Sequence, residues 1–183
     1  MTVHSFAYVV GNVDPFADDF EDRFFNAGCD DATLAVMHGA VVVCFDREAD
    51  QYKDAVLSAY DNIIAAGATL ERFEPDYLVS ASEIAKRAGL SRSAVSLFEK
   101  GERGEGYPKP CARITTASPL WDWVEVSRWL VERGTIGEQE FRSAMISRII
   151  NFDVQRGRMF GHTRKLVVKA ATATMAVQSG RSV

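Results

Sequence analysis

Few side chains in this sequence are spaced for covalent or metal chemistry. Cys29, Cys44 and Cys111 are odd in number and far apart, without a C-x-x-C pair, and His4, His38 and His162 form no H-x-x-x-H pair. Neither a disulfide framework nor a zinc site follows from such spacing, and the cysteines read as buried thiols. Cys29 stands beside Asp30 and Asp31, whose charge raises a thiol pKa, the reverse of what a nucleophile requires. Asp18 and Asp22 are one helical turn apart and could share a cation, but acids near a helix N-terminus are stabilised by its dipole and read as a solvated face. The stretch GERGEG, residues 101–106, has only the glycines of a phosphate cradle. It follows a helical pattern, lacks the lysine and the serine or threonine of G-x-x-x-x-G-K-[ST], and carries Glu102 and Glu105. With no nucleophile set against a base either, the expectation is a protein without catalytic residues, cofactor or metal.

The residues just before that loop form a stronger pattern. In SASEIAKRAGLSRSAVSLFEK, Ser80 and Glu83 make a capping box, so a helix begins there with Ile84, Ala85 and Ala88 inward and Glu83, Lys86 and Arg87 outward. Gly89 stops it, Leu90 plugs the angle and Ser91 caps a second helix. Ala94, Val95 and Phe98 give that helix one apolar face and leave Arg92, Ser93, Ser96 and Glu99 on the other sides. Ala85 is small where two helices cross, and Gly89 tolerates a left-handed turn. Gly101 ends the second helix, after which Gly104 and Gly106 let the chain swing away.

At these residues the chain resembles the helix-turn-helix of bacterial regulators. The following YPKPCARI and SPLWDWVEVSRWL are similar to the wing and closing helix of excisionase and MerR-type winged domains, and the resemblance covers residues 78 to about 131. It implies double-stranded DNA as partner. The second helix would enter the major groove with Arg92, Ser93 and Ser96, with Ser91 at its start also among the DNA-binding residues, while Lys100, Arg103, Lys109 and Arg113 would meet phosphates. The residue chemistry permits this: an arginine in the first helical turn can bond guanine O6 and N7 together. Lys109, between Pro108 and Pro110, is stiffly presented, and equal strand parity puts Arg113 on its side. Trp121, Trp123 and Trp129 have the spacing of core residues. Val124 stands where a capping residue is usual, and Asp122 with Glu125 offers a capping box shifted by two.

The front of the chain reads β-α-β-β-α-β. VHSFAYVV alternates as a strand; Phe16, Phe20 and Phe24 recur as a helical stripe with Asp14 as N-cap, Pro15 first and Gly28 as the stop; two strands flank a His38-Gly39 turn; Tyr52 to Ala66 is a helix; ATLERFEP is a closing strand. That order suits a ferredoxin-like antiparallel sheet with two helices on one face. Acylphosphatases resemble this layout but need cations after the first strand, where this sequence has Asp14, Asp18 and Asp19.

Charge separates the ends. Residues 1–76 carry a net charge of −11, residues 77–133 of +2 and residues 134–183 of +5. The expected organisation is α+β: an acidic ferredoxin-like domain over 1–76 for dimerisation, sensing or partner binding, a winged helix-turn-helix over 77–133, and an amphipathic helix with a basic tail over 134–183. In the last segment Phe141, Met145, Ile149 and Phe152 form an apolar stripe, widened by Ala144, Ile146 and Ile150. QRGRMFGHTRKLVVK reads as a flexible arm or a disordered end, and SGRSV as disordered. MTVHSFAYVV lacks the basic start of a signal peptide, and no stretch is long enough to span a membrane, so the cytoplasm is expected. The functional expectation is a homodimeric transcriptional regulator of bacterial or phage type. A protein-interaction adaptor or an excisionase-like architectural factor that binds nucleic acid nonspecifically is the alternative.

Overall fold

The computed structural model describes residues 1–157 and 160–173. The chain is mixed α+β, with a four-stranded antiparallel sheet, a two-stranded ladder and seven helices among the described residues. Its contacts gather into two units, one of Met1–Asp76 with Ile146–Ala171 and one of Tyr77–Met145 with the described residues after Ala171.

In the first unit, β1 (Thr2–Gly11), β2 (Ala32–Met37), β3 (Ala40–Ala49) and β4 (Thr69–Glu74) pair in the order β2-β3-β1-β4. The register sets Tyr8 opposite Val43 on one side and Phe73 on the other. Because side chains alternate along a strand, Phe6, Tyr8, Val10, Val41, Val43, Phe45 and Phe73 share one face. They are buried with Phe20 and Phe24 of α1 (Phe20–Asn26) and Ala55, Val56, Ala59 and Ile63 of α2 (Tyr52–Ala65). Tyr8 Oη reaches across this core and donates to the Val56 carbonyl at 2.8 Å, and burial pushes its pKa up. The β2-β3 hairpin turns at His38 and Gly39, both at positive φ (52° and 83°), as a two-residue hairpin demands.

The aromatic stripe is shorter than its spacing predicts. The helix starts at Phe20, and Phe16 is 87% exposed. Asp14 does not cap α1; its carboxylate accepts from Phe16 N at 2.9 Å, and this local turn meets a donor that a longer helix would have to satisfy.

Arg47, 9% exposed on the core side of β3, ties the unit together. Its Nε and Nη2 donate to the two Asp31 oxygens at 2.7 and 2.8 Å, Nη1 to Asn62 Oδ1 at 2.7 Å and Ser58 Oγ at 3.1 Å, and Nη2 also to the Gly28 carbonyl at 2.9 Å. Strand β3, helix α2 and the loop leading to β2 thus converge on one guanidinium. Beside it, burial pushes the Cys29 thiol up to about 11; Arg47 opposes the shift, and Asp31 and Asp30 add to it as smaller contributions than the sequence suggests.

The later part of one C-terminal helix, from Ile146 on, and the helix after it complete this unit. Ile146 and Ile150 of α6 (Glu138–Gln155) and Val167 of α7 (Phe160–Thr172) enter its core. Asn151 brackets the outer backbone of β4, accepting from Phe73 N at 2.8 Å and donating to Phe73 O at 2.9 Å. Residues 160–172 are therefore neither an arm nor a disordered end. Thr163, Val167 and Ala170 are buried at helical spacing, a stripe that the surrounding cations conceal in the sequence. Arg164 meets both oxygens of Asp61 at 2.5 and 2.6 Å. Phe152 leaves the expected stripe: it is 41% exposed under the Arg156 guanidinium, while Ser147, Asn151 and Asp153 are buried. SGRSV lies outside the described residues.

The second unit contains β5 (Leu78–Val79), α3 (Ala81–Ala88), α4 (Arg92–Glu99), β6 (Trp121–Asp122) and α5 (Trp123–Glu132), with β5 antiparallel to β6. Val79, Ile84, Val95, Trp121, Trp123, Val126, Trp129 and Leu130 form its core with Phe141 and Ala144. Asp122 caps α5 by accepting from Val124 N at 2.8 Å, which explains why Val124 is not itself the cap. Among the described residues no helix is long and apolar enough to cross a membrane.

Replacing Arg47 by Met removes one partner of a buried pair and should cost about 3–5 kcal/mol in urea unfolding followed by circular dichroism. Arg164→Ala, which breaks an exposed pair, should cost about 1 kcal/mol or less in the same measurement. Of the three thiols expected to be buried only Cys29 is, so thiol labelling at pH 8 should modify exposed Cys44 and Cys111 in the native protein and spare Cys29, which is 4% exposed and protonated at that pH, until denaturant is added.

Candidate nucleic-acid interface

Each end of the helix pair is fixed by a named contact. The capping box at α3 is reciprocal, with Glu83 N donating to Ser80 Oγ at 3.3 Å and Ser80 N to the Glu83 carboxylate at 2.7 Å. Gly89 closes α3 at φ 64°, and Leu90 N donates back to Ala85 O at 2.9 Å. Ser91 Oγ then accepts from Ala94 N at 3.1 Å, so this serine is engaged as the N-cap of α4. Ile84 and Val95 are fully buried where the helices meet, and half-buried Leu90 and Phe98 pack against them. What remains outward on the first turn of α4 is Arg92 and Ser93.

The other expected contacts are distributed unevenly around this turn. Ser96 is half-buried on the middle of α4, and Lys100 is exposed at its C-cap. Lys100 and exposed Lys109 help to line one cleft of about 430 Å³, together with Phe98, Tyr107, Pro108 and Trp121. Arg103 and Arg113 are exposed but do not line it. Arg92 is not free: its Nη1 lies 3.4 Å from the Glu99 carboxylate, a contact the sequence reading did not anticipate although both residues were placed off the buried face.

The GERGEG loop is a clamp rather than a cradle. Trp129 Nε1 donates to Glu105 O at 3.2 Å, Arg133 Nη2 donates to the same carbonyl, and the Arg133 guanidinium lies 3.9 Å above the Trp129 ring. Phe98 and Tyr107 each meet the Trp129 ring edge to face with centroids 5.1 Å apart, and tilt against each other at 5.5 Å. Burial pushes the Tyr107 pKa up, with Glu99 adding to the shift and Arg92 opposing it. Gly104, at φ 75°, passes so close to Trp129 that a Cβ there would stand 2.8 Å from the indole. Sequence reasoning missed Arg133; its only signal was the four-residue spacing from Trp129.

The expected wing is reduced. Instead of a strand through Lys109 to Arg113, a single bridge joins Ala112 to Leu120, with Cys111 N and Ala112 N both donating to Leu120 O at 2.8 and 3.1 Å. Trp121 Nε1 donates to Pro108 O at 3.1 Å and anchors the approach. The flanking prolines explain the missing ladder, since neither can donate a backbone hydrogen bond. Arg113 has φ 52°, outside the strand region, so parity does not align it with Lys109. The tight turn that follows, Thr116 N to Arg113 O at 3.0 Å, sets its direction instead.

No family model matches the chain, and no curated protein or solved structure matches it. Among the described residues no group of histidines, cysteines and acids is placed to hold a metal ion. The face is thus one of exposed cations and hydroxyls on a capped helix.

Gly104→Ala should lower the stability of the second unit by about 1–3 kcal/mol, through both the positive φ and the indole contact. Tryptophan fluorescence during urea unfolding reads it directly, because all three tryptophans lie in this unit.

Proposed function

We propose that the protein is a sequence-specific DNA-binding regulator in which α4 enters the major groove, Lys100, Arg103, Lys109 and Arg113 meet phosphates, and a second copy presents the other half-site. On this reading the first unit is a ferredoxin-like domain, in keeping with its strand order and its two helices on one face. The second is a winged helix-turn-helix with a short wing that acts in the cytoplasm. The observation that carries the reading is the first turn of α4: Ser91 fixes it, Val95 buries the opposite face, and Arg92 and Ser93 are left exposed.

Glu99 does not block this use. An exposed ion pair is worth about 0–1 kcal/mol, less than the about 1–3 kcal/mol of a bidentate arginine–guanine contact, so a cognate base can displace it. The proximity of Glu99, Glu102 and Glu105 to the cations supports a second reading, an adaptor that binds nucleic acid only nonspecifically.

Selection from a random duplex pool followed by salt titration separates the two. A regulator should prefer its selected site by about a thousandfold or more, and Arg92→Ala should lose about 1–3 kcal/mol at one base position. Lys109→Ala should weaken all duplexes alike and reduce the salt slope by about one unit. Equal affinity for every duplex rejects the regulator and leaves the adaptor.

A further inference from the structure

The two edges of the first unit's sheet are protected unequally. On β4 the Asn151 amide occupies the outer N–H and C=O of Phe73, the register shifts opposite Val9 and Val10, and Glu71, Arg72 and Glu74 add charge. These are the devices that keep a strand edge from pairing. The other edge, β2, reads Ala32-Thr33-Leu34-Ala35-Val36-Met37, without a charge, a proline or a register shift.

Its free groups can be assigned. In a two-residue hairpin the closing pair, here Met37 with Ala40, is hydrogen-bonded, so Met37, Ala35 and Thr33 direct their backbone groups to β3 and Leu34 and Val36 direct theirs outward. Among the described residues nothing bonds those outward groups. Val36 is 52% exposed, and next to the strand a groove of about 350 Å³, lined by Phe24, Phe25, Cys29 and Leu34, leaves Phe25 66% exposed.

We propose that two copies pair their β2 edges antiparallel about a two-fold axis at Ala35. In this register Leu34 lies opposite the partner's Val36 and Val36 opposite the partner's Leu34, which joins every outward N–H and C=O of both residues. The occupant is a second copy because the strand is self-complementary: an identical uncharged strand opposes leucine to valine and no charge to any charge, and a two-fold pair is closed. Glu21 and Asp30 also line the groove, so like charge opposes the approach and association tightens as salt is raised. The inference deepens the dimer of the preceding reading, and its test uses no DNA, so either can fail without the other.

Sedimentation equilibrium of the full chain should show a dimer, tighter at high salt. Val36→Pro removes an outward N–H while leaving the β2-β3 ladder intact and should weaken the dimer at least about tenfold with an unchanged circular dichroism spectrum. In a Cys44→Ser, Cys111→Ser background, Ala35→Cys should form an interchain disulfide on mild oxidation, because facing residues of such a pair have Cβ atoms about 4.5–5.5 Å apart. Val3→Cys, exposed on β1, should not. A monomer, equal crosslinking at both positions, or a dimer indifferent to a folded Val36→Pro overturns the proposal; if Val36→Pro does not fold, the disulfide pair decides.

Discussion

The first unit depends on a charge buried where a hydrophobic residue would be the ordinary choice. Arg47 follows Val41, Val43 and Phe45 along the inward face of β3, and its guanidinium is saturated by Asp31, Asn62, Ser58 and the Gly28 carbonyl. A buried arginine is tolerated only when nearly every donor finds a partner, and here the partners come from separate segments of chain. Each satisfied donor fixes a distance, so the arginine sets where α2 crosses β3 and where the chain leaves α1. The loop it holds, Gly28 to Asp31, delivers β2 to the sheet in register, with Ala32 N donating to Cys29 O at 3.1 Å. Asn62 does double duty by donating to Ala27 O at 2.7 Å.

A comparable device, built from aromatic rings, shapes the second unit. Trp121 and Trp129 are buried by their rings, but each indole N–H still needs an acceptor, and they find Pro108 O and Glu105 O on either side of Tyr107. The loop that follows α4 is thereby fixed to the closing helix α5. Its Gly104 serves close approach over an indole, and Glu102 and Glu105 are exposed to solvent. The helix that carries Arg92 is consequently held at both ends: by the Ser91 cap at its start and by the edge-to-face cluster of Phe98, Tyr107 and Trp129 at its finish.

What could be read in the sequence was what neighbouring residues decide among themselves. The Ser80-Glu83 box, the Gly89 stop, the His38-Gly39 turn and the alternation of Phe6, Tyr8 and Val10 are all local statements, and the chain obeys them. Local chemistry also misled. Phe16 had the right spacing for a helix, yet Asp14 and Pro15 form a turn that costs the chain nothing more to make. Arg47 is not legible locally because its partners lie 11 to 19 residues away, and Asn151 lies 78 residues from the strand it brackets. In the candidate interface the capped start of α4 was legible, whereas the Glu99 contact to Arg92 and the left-handed Arg113 were not, since both depend on how side chains and turns settle after folding.

The division of charge along the chain also changes meaning once folded. Of the basic side chains in residues 134–183, Arg148, Arg156, Arg164, Lys165 and Lys169 are described within Ile146–Ala171 and belong to the same unit as the acidic front. Arg164 shows how this works, answering Asp61 from more than a hundred residues away in sequence. These cations thus moderate the acidity of the first unit, to which they belong. On the proposed reading, attraction toward phosphate is supplied by the second unit's own cations, which are interleaved in sequence with Glu99, Glu102 and Glu105. If the protein binds DNA as proposed, a net charge of only +2 over residues 77–133 gives a small sequence-independent attraction, and discrimination then rests on a few oriented groups, Arg92 foremost.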